Sequence, residues 1–100
     1  MLDVKEADAI VEAKTAPKVT RQSIIDAIEC IIYHNDGVLT IAKVFMKNGF
    51  VVVGKSACAS IENYDADVGE TYAFEDAVRQ LWALEGYLLR QRLHEMYEGF

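Results

Sequence analysis

The chain has 100 residues, of which 52% are hydrophobic and 26% charged, and a formal net charge of −6. That size supports one domain with a single modest core and excludes a second. No apolar run approaches the roughly 20 residues of a membrane helix, and the polar stretch after Met1 suggests no signal peptide, so a protein of the cytoplasm is expected.

Asp3, with Glu6 three residues later, opens a weak helix over Val4 to Lys14 whose apolar residues are few and small. Residues 1–16 are therefore expected to be a weak helix or a flexible segment, and 17–100 a single α+β domain. Pro17 breaks the chain, because the residue before a proline is pushed away from helical geometry. Thr20 is a good N-cap for a second helix, with Val19 placed to staple against Ile24. Apolar residues at Ile24, Ala27, Ile28, Ile31 and Ile32 extend that helix to about Tyr33, and His34-Asn35-Asp36-Gly37 ends it.

Two β-type runs follow, Val38 to Met46 and Phe50 to Val53 with its continuation, joined by Asn48-Gly49. That dipeptide signals a two-residue hairpin turn. Such a turn sets Lys47 opposite Phe50, Phe45 opposite Val52, Lys43 opposite Gly54 and Ile41 opposite Ser56. The other face then pairs Met46 with Val51 and Val44 with Val53. Both faces are largely apolar near the turn, so something must cover each. The chain's helices are one cover, and a second subunit or a further strand is the other.

Between Ile61 and Val78 the chain carries Glu62, Asp65, Asp67, Glu70, Glu75 and Asp76 with no Lys or Arg, so this segment holds the whole net charge. An acidic face opposes direct binding of nucleic acid, which needs clustered cations, and permits a basic protein partner or mimicry of nucleic acid. Its plainer use is at a helix start, where carboxylates favour the positive end of the helix dipole. Ser60 or Asp65 can cap a last, long amphipathic helix from about Ala66 to Tyr97, roughly 45 Å at 1.5 Å per residue. One arc of it holds Phe74, Ala77, Val78, Leu81, Trp82, Leu84, Leu88, Leu89, Leu93 and Met96. Because that length exceeds the diameter of a domain this size, the helix must bend at Gly86 or project towards another chain.

Chemistry is sparse. His34 and His94 lack a nucleophile at usable spacing, Cys30 and Cys58 read as reduced, buried thiols, and no metal-ligand spacing occurs. Gly49 with Gly54-Lys55-Ser56 matches GxxxxGK[ST], but the residues between are strand-like and Gly49 belongs to the turn. No enzyme, cofactor or metal is expected. Glu85 and Arg92 fall in the middle of the apolar arc, where a charge is costly unless paired, and Gly86 and Tyr87 sit beside them. The candidate interaction residues are Lys55, Ser56, Asp65, Asp67, Glu70, Glu85, Tyr87 and Arg92.

The ordered combination NGF, G-x-SAC, Asn-aromatic-Asp and LW-x-LEGYLL, over about residues 17 to 93, resembles the gp forty-nine/sixty-six family of short-tailed enterobacterial phages. Ser56, Ala57, Cys58, Asn63, Asp65, Gly69, Trp82, Glu85, Gly86 and Tyr87 match. Members usually carry Glu where this chain has Lys55, and often Phe in place of Tyr64, so a role of that acidic position does not carry over. The resemblance implies a phage or prophage product, made early and active inside the host cell, with no established activity. Two functions are weighed on these grounds. One is a small acidic, non-catalytic protein, most simply a homodimer, that binds and modulates a host protein. The other is a small-molecule or nucleotide-binding module, a sponge, with its site between hairpin and helices near Lys55, Ser56 and Glu85.

Overall fold

The computed structural model describes residues 1–98, Glu98 by its backbone alone; the last two residues of the expected domain lie outside the described residues. Its elements are α1 (Val4–Ala13), α2 (Arg21–Asp26), β1 (Ile28–Asp36), β2 (Leu39–Met46), β3 (Val51–Ala57), a 3₁₀ turn (Ile61–Asn63) and α3 (Ala66–Leu93), which runs into a π-helical turn (His94–Glu98). The class is α+β: an antiparallel sheet in the order β1-β2-β3 with α3 laid across one face.

The helix starts follow the capping signals. Asp3 accepts the Glu6 amide at 2.8 Å, Thr20 and Ser23 form a reciprocal capping box, and Asp65 accepts the Val68 amide at 3.1 Å. The Lys18 ammonium donates to the last carbonyls of α1, those of Val11, Glu12 and Lys14, at 2.9, 2.5 and 2.5 Å. A cation there satisfies orphan acceptors at the negative end of the helix dipole. α1 buries no residue of its own.

The second helix ends seven residues before the expected Tyr33, and the rest of that run is a strand. Apolar residues at 24, 27, 28 and 31 fit a helical stripe, but Ile28, Ile31, Ile32 and Tyr33 are β-branched or aromatic and suit a pleated surface. The sheet decides between them, because β2 has a second row of backbone groups to pair and β1 supplies it. The expected central hairpin is thus a three-stranded meander. Its first turn is Gly37-Val38, with Gly37 at φ 60° and Val38 negative, as a type II′ turn requires.

The second turn takes three residues rather than two. Gly49 donates to the Met46 carbonyl at 2.9 Å and Met46 to that of Phe50 at 2.8 Å, with Gly49 at φ 92°. The extra residue moves the register by one, so that Val44 pairs with Val52 and Phe45 with Val51, not Phe45 with Val52 as expected. The inner face then carries Thr40, Ala42, Val44 and Met46 with Val52 and Gly54. These pack beneath Ile24, Ala73, Ala77, Val78 and Leu81 to form the core.

α3 also closes the β3 edge of the sheet. The Lys55 amide donates to the Asp76 carboxylate at 3.0 Å, and the Gln80 side-chain amide donates to the Val53 carbonyl at 2.8 Å. Bonded groups on an edge strand no longer template pairing with another chain. α2 is tied to α3 by Arg21, which makes a two-pronged ion pair with Glu75 and lies over the Phe74 ring at 5.9 Å. Hydrogen bonding to Arg21 holds Glu75 below the usual carboxylate range and raises Arg21. Both side chains are more than a third exposed, so Glu75→Gln is expected to cost only about 0.5–1 kcal/mol near neutral pH. A carboxylate lowered on folding stabilises above its unfolded pKa, about 4, and the gap to wild type should close as pH falls through the folded value. Urea unfolding of both proteins across acidic pH measures this.

Candidate functional site

The eight candidate residues do not gather into one site. Ser56 and Asp65 line a cavity of 130 Å³ between the end of β3 and the start of α3, together with Cys58, Asn63, Tyr64 and Tyr72. Tyr64 of its lining belongs to a polar knot. Thr40, fully buried, donates to Asn35 Oδ1 at 2.9 Å and lies 3.1 Å from the Tyr64 hydroxyl, which also donates to Asn35. Gly69 makes room for it, since a Cβ there would sit 2.5 Å from Thr40 Oγ1. The sequence reading missed this knot. Asn63-Tyr64-Asp65 was its visible signal, but Asn35 and Thr40 meet Tyr64 only across the first hairpin.

Asp65 is committed to capping α3, Asp67 is exposed in its first turn, and Glu70 is half-buried. Burial first, and Glu70 second, push the Tyr33 phenol above its ordinary value. The Gly54-Lys55-Ser56 triplet is part of β3, not a loop that could wrap phosphate. Gly54 permits close approach of α3, Lys55 points outward from the sheet, and Ser56 is half-buried.

Of the cysteines expected to be buried, Cys30 is exposed and Cys58 half-buried, its thiol 3.2 Å from the Ser60 carbonyl. The reason is the change of element: on a strand Cys30 points to the opposite side from Ile31 and Tyr33, away from α3. Among the described residues no group of three or more His, Cys, Asp or Glu side chains could hold a metal ion, and no helix is long and apolar enough to cross a membrane.

α3 continues through Gly86 without a break, and the molecule measures 55 Å along its longest axis. Glu85 and Arg92 line a groove between the hairpin tip and α3, beside Met46, Lys47 and Leu88, and Tyr87 stands 76% exposed on the other side of the helix.

The outer face of the sheet is uncovered. Its side chains form four rows across the strands: Cys30, Phe45 and Val51; Ile32, Lys43 and Val53; His34, Ile41 and Lys55; Asp36, Leu39 and Ala57. Ile32, Val51 and Val53 are 47%, 44% and 51% exposed, and among the described residues no element covers this face. The described residues therefore do not supply the expected cover: the further strand joins the sheet edge instead of packing on it. Lys43 stands in the second row, on the middle strand, with apolar side chains on both flanks. Lys55 lies diagonally beyond it, and the face's acidic residue, Asp36, sits at the far end by the first turn. A contiguous apolar surface with a few fixed charges is the anatomy of a recognition surface.

The fold thus defines a small α+β scaffold, a meander backed by one long helix and bare on its other face. The model of the Phage protein (N4 Gp49/phage Sf6 gene 66) family matches residues 19–93, and the chain belongs to that family. No curated protein and no solved structure matches it.

Proposed function

We propose that this phage protein is a non-catalytic accessory factor that binds and modulates a host protein in the host cytoplasm through the outer face of its sheet. The observation that carries the reading is the uncovered apolar face with Lys43 at its centre, in a chain whose net charge is −6. The partner surface that fits is an apolar strip bearing a carboxylate to meet Lys43 and Lys55. Within the acidic segment, by contrast, Asp65 caps α3, Glu75 pairs with Arg21 and Asp76 bonds the Lys55 amide, so these three carboxylates serve the fold. The cavity at Ser56 and Cys58, at 130 Å³, falls below the roughly 300 Å³ of ordinary ligand pockets, which disfavours a nucleotide at that end of the sheet.

The test is affinity capture from host lysate at moderate salt with wild type, Lys43→Glu and Tyr87→Ala. The same host protein should be recovered by wild type and by Tyr87→Ala, and at least about tenfold less by Lys43→Glu, since charge reversal at an interface centre typically costs more than 1.4 kcal/mol. Binding should also slow maleimide labelling of the exposed Cys30 thiol. Equal capture by Lys43→Glu, or no recovery above background, would exclude this face as the site.

A further inference from the structure

We infer that the chain forms a two-fold dimer in which the outer half of α3 from each copy packs antiparallel along the other, with Glu85 facing the partner subunit's Arg92. A monomer of 11.2 kDa exposes about 5,700 Å², whereas this chain exposes 7269 Å². Its radius of gyration is 16.5 Å against about 13 Å for a compact chain of this length. The excess area, roughly 1,600 Å², is of the size that one subunit buries in a stable homodimer. α1 supplies one part of the excess and the portion of α3 beyond Leu81 another: Leu84, one turn on from the buried Leu81, is 45% exposed and Met96 67%.

Beyond Leu81 the apolar arc of α3 continues through Leu84, Leu88, Leu89, Leu93 and Met96, and Glu85 and Arg92 project from its centre. Neither makes a hydrogen bond or ion pair among the described residues. They are opposite in sign and two turns apart, symmetric about the Leu88–Leu89 step. A two-fold axis at that step answers both at once: Glu85 meets the partner subunit's Arg92, Arg92 meets the partner subunit's Glu85, and Leu84 meets the partner subunit's Leu93. An isologous interface requires this self-complementarity. The outer sheet face lacks it, because a two-fold pairing there would set its central lysines against lysines. Between the hairpin tip and α3, a cavity of 200 Å³ lined by Met46, Phe50, Leu81, Leu84 and Leu88 gives the incoming helix end an apolar seat.

This inference does not depend on the host-binding reading and is tested apart from it, with purified full-length chain and no host protein. Sedimentation equilibrium of wild type at high micromolar concentration should give twice the 11.2 kDa chain mass. Glu85→Arg and Arg92→Glu should each raise the dimer dissociation constant at least about tenfold, and the double exchange should return it to within about threefold of wild type. Both positions lie outside the core, so far-ultraviolet circular dichroism should be unchanged in the singles under dilution. A wild type that stays monomeric, single reversals without effect, or a double exchange no tighter than the singles would overturn the interface.

Discussion

Gly54→Ala is expected to cost about 3 kcal/mol of folding stability, at the upper end of overpacking changes, although it adds a single methyl. A Cβ at this position would stand 2.0 Å from the Ala73 carbonyl oxygen and 2.7 Å from the Ala77 amide nitrogen. These are backbone atoms of a regular helix, so no rotamer change relieves the clash and α3 must move away as a body. That movement would also stretch the bonds from Asp76 to the Lys55 amide and from Gln80 to the Val53 carbonyl, which lie either side of Gly54 in β3. Urea titration followed by tryptophan fluorescence measures the loss, with an unchanged slope marking a true stability effect. A loss under about 1 kcal/mol would mean that the helix does not sit where the structure has it.

Leu81→Ala should destabilise by a similar amount, about 3 kcal/mol, by a different route. Leu81 is 1% exposed and is the last fully covered residue of α3 before the helix leaves the sheet. Truncation removes apolar contacts and leaves a cavity that the hairpin tip, held by its own three-residue turn, closes only in part. In a domain of this length the midpoint of thermal unfolding should fall on the order of 15 °C. Leu84→Ala is the control, one turn further on. Since Leu84 is already 45% exposed, it should cost less than about 1 kcal/mol under dilution, while weakening the dimer at higher concentration. Equal losses at both positions would deny that the core ends at Leu81.

Much of this was legible in the residues. Asp3, Thr20 and Asp65 cap helices where their short polar side chains and following amides predict, and the long helix begins one residue after Asp65. Alternation on both parities of Leu39–Met46 marked a strand with two apolar faces. The placing of Glu85 and Arg92 in an apolar arc also came from helical geometry alone. What failed were choices between patterns that the residues satisfy equally. Ile24, Ala27, Ile28 and Ile31 make a helical stripe, yet Ile31 and Tyr33 also make one face of a strand.

The sequence by itself determined the local grammar: where helices start, where the chain turns, and that a small α+β domain would result. Caps and turns act over three or four residues, so their physics is complete within the segment that carries them. The tertiary structure alone decided that residues 28–36 are a strand and that the second hairpin closes through three residues. Those two outcomes depend on distant partners: β2 needed backbone bonds on both sides, and α3 needed Gly54 facing inward beneath Ala73 and Ala77. They also settled which side chains lie outside, and so placed Cys30, Lys43 and Val53 together on the bare face.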